Sequence, residues 1–413
     1  MSFSNPRHAG CGDEIVVSDL HARLGVQRRI NAAGTLTRLG GSLMEPEVLA
    51  AMNEAAAASV DMAEMQSAAS RVIATCTGAQ AGIVTSGAAA GLTLATAACL
   101  AGWDIRRMAA LPDSSGMPNR ILMARTQRNS YDHAIRAAGG QIVDIGHNDR
   151  GTGAGIRGLE PWEIEAAADQ QTAALLFVAT AQTVADLPGV VHTAHGLGLP
   201  VIVDAAAQLP PKNNLRAFVD AGADLVVFSG GKAIGGPQAS GILAGRRDLI
   251  GSALVQMMDM DVSPQTWSPA ELIDRSAMKG IPHHGIGRGF KVGKEEIAGL
   301  LVALERFVAR DETASAAKLT QRLQAIANAL AGVTGVSTRL VEADASSVIP
   351  MLELSMAGPA HAWSQRLQSG NPPVHLGERL AGDGILTINP QTLRAEDDAV
   401  LVRCLIESCR STS

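Results

Sequence analysis

The segment Asp224-Leu-Val-Val-Phe-Ser-Gly-Gly-Lys232-Ala-Ile-Gly-Gly-Pro237 offers the first chemistry. A short apolar run ending in Ser229 and two glycines puts Lys232 at the carboxyl edge of a sheet, where open α/β folds build ligand sites. A lysine amine forms an imine with an aldehyde when a desolvated or cationic setting lowers its pKa. Gly-flanked lysines are also common in ordinary loops, so this motif needs company.

Asp204 supplies it, closing the run Val201-Ile-Val-Asp204 ahead of Ala205-Ala-Ala-Gln208. A carboxylate at the end of a buried strand is costly unless it meets a cation or several donors. A protonated pyridine nitrogen is such a partner, and the pair keeps the ring an electron sink. A plain capping Asp is the competing reading; its place one strand before Lys232 favours the chemical one. Upstream, Val84-Thr-Ser86-Gly-Ala-Ala-Ala-Gly91 runs from strand into a small-residue helix whose first N–H groups, with the Ser86 hydroxyl, make a seat for a phosphate. An ordinary Ser N-cap is the alternative there. In Arg128-Asn-Ser-Tyr131-Asp-His133, one ring, Tyr131 or His133, is placed to stack on an aromatic cofactor; Tyr131 is the chain's single tyrosine.

These residues need a scaffold, and the middle of the chain alternates apolar runs with helical stretches, the pattern of a mostly parallel sheet covered by helices. Seven strands are predicted: 83–86, 121–124, 141–145, 174–179, 201–204, 225–228 and 241–244. Helices are expected over 88–100, 131–138, 161–169, 193–197 and 215–221. An amphipathic stretch, 47–58, is expected to pack on the large unit. Residues 263–288 read as an irregular crossing, and 294–310 as one long helix with Ile297, Leu300, Leu301, Leu304 and Phe307 at helical spacing. A smaller α+β unit follows. The expected division is 1–44 as an N-terminal segment reaching a partner subunit, 45–290 as the large domain and 291–413 as the small one.

The bulk of the 413 residues fits this plan: 46% are hydrophobic, 18% charged and 43 are glycines, a globular composition with no clean apolar span. Five scattered cysteines, with no C-x-x-C pair, predict reduced thiols and neither disulfides nor zinc. Met1–Asp13 is polar where a signal peptide needs an apolar run, so a cytoplasmic location is expected. The net charge of −6, with basic residues dispersed, argues against a nucleic-acid surface.

Phosphate seat, stacking ring, pyridine Asp and imine Lys, in that order on consecutive strands, resemble a fold-type I enzyme dependent on pyridoxal 5′-phosphate (PLP). Further segments narrow the resemblance: Ile30–Ser42, Asp61-Met-Ala-Glu64-Met-Gln66, Ser229–Gly236 and Gly287-Arg288-Gly-Phe-Lys291-Val-Gly-Lys294-Glu-Glu296. With them the chain resembles the selenocysteine-synthase-like branch, and proteins related to D-glucosaminate-6-phosphate ammonia-lyase, over roughly residues 29–393. The resemblance implies that Ser86, Gly87, Ala88 and Ser229 hold the PLP phosphate. It implies that Asp204 pairs with the ring nitrogen, that Gln208 lies near the ring hydroxyl, and that Lys232 carries the cofactor. It further implies a homodimer or larger even assembly with the active site between subunits. Thr35, Arg38, His284 and Arg288 are then candidates for the substrate, since a guanidinium fork suits a carboxylate.

Other motifs do not survive inspection. Val226 occupies the first glycine position of a P-loop and Ala233 its Ser/Thr position; Gly285–Gly289 is too short for a dinucleotide fingerprint. His192 with His195, and His283 with His284, lack acidic or thiolate partners for a metal. No G-x-S-x-G elbow is present. The expected reaction is an ammonia-lyase or dehydratase step on a small β-hydroxylated amino acid through an α-carbanion. Racemase, aldolase and aminotransferase chemistry need nearly the same machinery. A catalytically silent PLP-binding scaffold and a transfer-RNA-linked selenium transferase are the readings from other classes. The basic face that transfer RNA needs is missing.

Overall fold

The computed structural model describes residues 20–151, 155–343, 348–356 and 358–410. Its centre is a seven-stranded sheet: β1 (Ala81–Thr85), β2 (Arg120–Ala124), β3 (Gln141–Ile145), β4 (Thr172–Val178), β5 (Val201–Asp204), β6 (Leu225–Ser229) and β7 (Gly241–Gly245). The strands lie in the order β1-β7-β6-β5-β4-β2-β3. Only β7 runs antiparallel, to β1 on one side and β6 on the other. All seven expected strands are found, most with ends moved by one or two residues.

Helices cover both faces, so the central strands are buried throughout and read as continuous apolar runs. Helix Ala88–Ala101 lies inside this packing, which explains its lack of a polar face: eleven of its fourteen residues are buried. Helix Met62–Thr77 begins at Asp61, whose carboxylate accepts from the N–H groups of Ala63 and Glu64. Its Gln66 is buried and serves the outer edge of β1 as a missing strand would. The side-chain amide donates to the Val84 carbonyl and accepts from the Val84 N–H, both at 3.0 Å. The helix expected over 193–197 is longer, Leu187–Gly196, because Pro188 sits in its first turn, where a missing N–H costs nothing.

A second core forms around a three-stranded antiparallel sheet of Val336–Val341, Met351–Met356 and Ile385–Ile388, with Leu323, Trp363 and Leu401 among its buried residues. The short strand Ile30–Ala32 pairs in parallel with Val374–Leu376, so Ile30 and Ala32 join this second core although they precede the whole of the larger one in sequence. Helix Lys294–Ala309 instead buries Ile297, Leu300, Leu304 and Phe307 in the larger core, against helix Pro46–Ala56. We therefore propose to draw the division between the units near Arg310, with Ile30–Ala32 assigned to the smaller one.

No helix among the described residues is long and apolar enough to cross a membrane. Cys76, Cys99, Cys404 and Cys409 form no disulfide among the described residues, and Cys11 lies outside them.

Candidate active site

Strand register brings the chemistry to one edge of the large sheet. Gly241 is paired with Thr85 on one side and with Ser229 on the other, and Asp204 is paired with Val227 and Val178. The carboxyl ends of β1, β6 and β5 therefore present Ser86, Ser229 with the Lys232 loop, and Asp204 side by side.

At β1 the chain turns through Gly87, whose φ of 130° excludes an L side chain. Thr85 Oγ1 donates to the Gly87 carbonyl at 2.9 Å and helix Ala88–Ala101 starts there. No side chain caps this helix. The helix can start so close to β7 because residue 241 is glycine: a Cβ there would lie 2.5 Å from the Gly87 carbonyl carbon and 2.7 Å from the Ala88 nitrogen.

The lysine loop leaves β6 in a tight turn, Gly230–Ile234, in which Lys232 departs from helical backbone angles. The loop is held from outside. Ser42 N–H donates to the Gly231 carbonyl at 3.0 Å, and Ser42 Oγ donates to the Lys232 carbonyl at 2.5 Å. Gly235 N–H closes back on the Lys232 carbonyl. Burial pushes the Lys232 amine below its ordinary pKa, and Asp204 opposes that shift only in part. Asp204, itself buried, is pushed up by desolvation, with the Ala206 N–H at 3.0 Å and the charge of Lys232 working the other way. The pair thus holds an amine favoured toward its nucleophilic neutral form and a carboxylate whose compensation falls short of its desolvation.

PLP fits these observations. An uncapped helix start beyond Gly87 suits its phosphate, the Lys232 amine suits its aldehyde, and an under-compensated buried carboxylate gains from a cationic ring nitrogen. Gln208 follows Asp204 on the same edge, and its carbonyl accepts from the Asn214 side chain at 2.7 Å.

The remaining expected residues are arranged differently. Tyr131, 56% exposed, precedes helix Asp132–Ala137, and His133 is exposed as well. Arg288 is engaged by Asp259 at 2.9 Å, and His284 Nδ1 accepts from the Met260 N–H at 3.1 Å. Arg38 places a guanidinium nitrogen 3.4 Å from His375 Nδ1, in the second core, while Thr35 is half-buried on the same N-terminal segment. His375 was not singled out in the sequence. It carries no motif and meets Arg38 across 337 positions. Gln127 also escaped notice; buried, it accepts from the Val178 N–H at 2.8 Å and ties the ends of β2 and β4 together. No cluster of three potential metal ligands exists among the described residues.

Comparison with known proteins gives a consistent picture. The family model of SelA, L-seryl-tRNA selenium transferase, matches residues 178–259, the stretch that holds Asp204 and Lys232. The D-glucosaminate-6-phosphate ammonia lyase of Salmonella typhimurium (strain 14028s / SGSC 2262) is 30% identical over 402 residues, covering 94% of this chain and 97% of its own. A solved structure of D-glucosaminate-6-phosphate ammonia-lyase superposes with a TM-score of 0.79 over 96% of this chain and 99% of that one, at 30% identity. The 5'-C-glycyluridine monooxygenase-decarboxylase of a Streptomyces species is 31% identical, over 94% of this chain and 91% of that one. The pyridoxal-5'-phosphate dependent protein YhfS of Escherichia coli shares the fold, with a TM-score of 0.50 at 19% identity over 84% and 86% of the two chains.

Proposed function

This chain belongs to the selenocysteine-synthase-like family of PLP enzymes that includes D-glucosaminate-6-phosphate ammonia lyase, and from that premise we propose that it is an ammonia-lyase acting on a small β-hydroxylated amino acid. The observation that carries the reading is the half-buried Lys232 with the buried Asp204 at the sheet edge, each group displaced from its ordinary pKa by desolvation.

When bound, PLP supplies an aldehyde for the substrate's amino group and a ring that accepts electrons from the α-carbon. Ser86, Gly87, Ala88 and Ser229 would hold its phosphate, Asp204 would keep its ring nitrogen protonated, and Gln208 would serve its ring hydroxyl. Lys232 Nζ holds the cofactor between turnovers. Released by the incoming amino group, the same amine takes the α-proton, a role that suits a lysine whose pKa burial has lowered. The electron pair left on Cα expels the β-hydroxyl, which takes the proton held by Lys232 Nζ and leaves as water. Hydrolysis of the resulting enamine takes up one water and releases ammonia and a keto acid, so the atoms balance.

Tyr131 or His133 stacks on the ring, and their exposure in the single chain fits a site completed by a second copy. The protein is accordingly read as a cytoplasmic homodimer or larger even assembly, in which the N-terminal segment, Arg288 and His284 reach toward the neighbouring site. Arg38 and Thr35 face the substrate. The test is to incubate holoenzyme with D- and L-β-hydroxy amino acids and to measure keto acid and ammonia. Equal release of both supports the lyase; loss of optical rotation without ammonia refutes it in favour of racemisation.

A further inference from the structure

Ser42 touches the lysine loop twice, and the two contacts fall on either side of one α-carbon. Its N–H donates to the Gly231 carbonyl, which belongs to the peptide before Lys232; its hydroxyl donates to the Lys232 carbonyl, which belongs to the peptide after it. A side chain leaves the backbone in a direction set by the two peptide planes that flank its α-carbon. Fixing both planes from one outside residue therefore fixes where the Cα–Cβ bond of Lys232 points. The planes stand far from a helical turn, at φ −108° and ψ −125°, and the Gly235 N–H is a second donor to the Lys232 carbonyl, at 3.0 Å.

The grip is as firm as the segment that carries it. Ser42 closes a run that starts in the smaller core at Ile30–Ala32. Between the two, Asn31 Nδ2 donates to the Gly34 carbonyl at 3.0 Å and Asn31 Oδ1 accepts from the Ala33 N–H at 3.0 Å, while Gly41 N–H closes on the Leu36 carbonyl at 3.0 Å. Gly41 then passes the loop so closely that a Cβ there would lie 2.7 Å from the Gly231 carbonyl oxygen, and its φ of 71° suits glycine. A hydrogen-bonded segment pressed against the loop holds the Ser42 hydroxyl in place, where a slack tether would not.

We propose that Ser42 is a positioning residue: it aims Lys232, so that the amine meets the cofactor aldehyde, and afterwards the substrate's α-proton, along one fixed direction. This rests on reading Lys232 as the cofactor lysine. Proton transfer loses rate steeply when donor and acceptor are misaligned. The contribution of Ser42 therefore falls on kcat, at a step after the substrate has bound. The same aim keeps the amine in its half-buried place. Without it the amine reaches water, and the desolvation that holds its pKa down is relieved.

The experiment compares wild type, S42A and S42T, each loaded with PLP from the apoenzyme. Alanine keeps the backbone N–H and removes the hydroxyl alone. Threonine restores the hydroxyl, and a cavity of about 330 Å³ bordered by Ser42, Ala233 and Ile234 leaves room for its methyl. In S42A, kcat for ammonia release is expected to fall about tenfold, with KM within about twofold of wild type. The pH midpoint for loading PLP, followed by absorbance, is expected to move up, because only the neutral amine attacks the aldehyde. S42T is expected to restore both. A midpoint that stays in place, whatever the change in Tm, leaves a purely structural serine and overturns the proposal, as does an S42T that restores neither. Should S42A fail to fold, the wild-type holoenzyme decides: its Ser42 amide must exchange with deuterium about tenfold or more slower than a free amide, and unprotected exchange overturns the grip. Borohydride labelling of Lys232 in the wild type tests the underlying reading separately. No label overturns that reading, whereas a labelled wild type with S42A indistinguishable from it overturns the role of Ser42 alone.

Discussion

Replacing Asp204 by Asn isolates the charge that the proposed chemistry needs. The substitution keeps side-chain volume and leaves an oxygen able to accept from the Ala206 N–H, now 3.0 Å from Asp204 Oδ1. Only the negative charge is lost. Asp204 is 9% exposed, so water cannot replace it. Removing one fixed group that stabilises charge as it changes in the transition state costs about 2.7–4 kcal/mol, and at about 1.4 kcal/mol per factor of ten this is about a hundredfold or more in kcat/KM. The expected loss is in kcat, because the ring nitrogen's charge matters most as electrons leave Cα. A second readout is independent of turnover. Asp204 raises the pKa of Lys232 against the larger lowering effect of burial. Loss of its charge therefore moves the pKa further down and shifts the pH midpoint for loading PLP onto the apoenzyme to lower pH. Steady-state ammonia release and absorbance-monitored loading measure the two effects. A D204N enzyme that keeps its cofactor and stays within threefold of wild-type kcat/KM refutes the assignment of Asp204 to the ring.

Lys232→Ala removes the amine that holds the cofactor and moves the proton; turnover is expected to fall by about a thousandfold or more, and mass spectrometry after borohydride treatment should find no label on the peptide that carries it in the wild type. Gly241→Ala forces a Cβ against the Gly87 carbonyl carbon and the Ala88 nitrogen. A cost of about 1–3 kcal/mol is expected, with weaker PLP affinity in fluorescence titration, because the collision falls on the helix start. Gln66→Leu leaves the Val84 N–H and carbonyl unpaired at the edge of β1; stability measured by urea denaturation should drop by about 2 kcal/mol or more. His375 is held below its ordinary value of 6.5. The unfolded chain therefore takes up this proton first, and the stabilisation present above pH 6.5 is lost as pH falls through the lower native value. Tm should decline on acidification through that window, and His375→Gln should reduce the slope.

The sheet was legible because its strands are buried on both faces. Runs such as Val201-Ile-Val and Leu225-Val-Val-Phe leave little else for the chain to do, and Gly230-Gly231 after the second marks its turn. Each candidate follows the end of one of these runs, so Ser86, Asp204 and Lys232 could be grouped at one sheet edge before any coordinates, although the order of strands across the sheet, β1-β7-β6-β5-β4-β2-β3, is not their order along the chain. The placement of helix Lys294–Ala309 was not legible. Its apolar stripe states that one face is buried, and only three-dimensional packing states that the face belongs to the larger core, against Pro46–Ala56.

The meeting of Arg29 and Arg38 on His375 marks the limit of sequence reading for a different reason. Arg38 is a candidate on sequence, but Arg29 is not and His375 lies in no motif; what relates the three is the parallel pairing of Ile30–Ala32 with Val374–Leu376. That pairing joins segments about 345 residues apart, through strands of three residues each, too short to announce their partner. Once it forms, the register sets Asn31 beside His375, with Arg29 immediately before the strand and Arg38 just beyond it. Residues carried on the ends of apolar runs, such as Asp204 and Lys232, are therefore visible in order and spacing. A cluster built where two distant short strands pair becomes visible only when those strands are brought together.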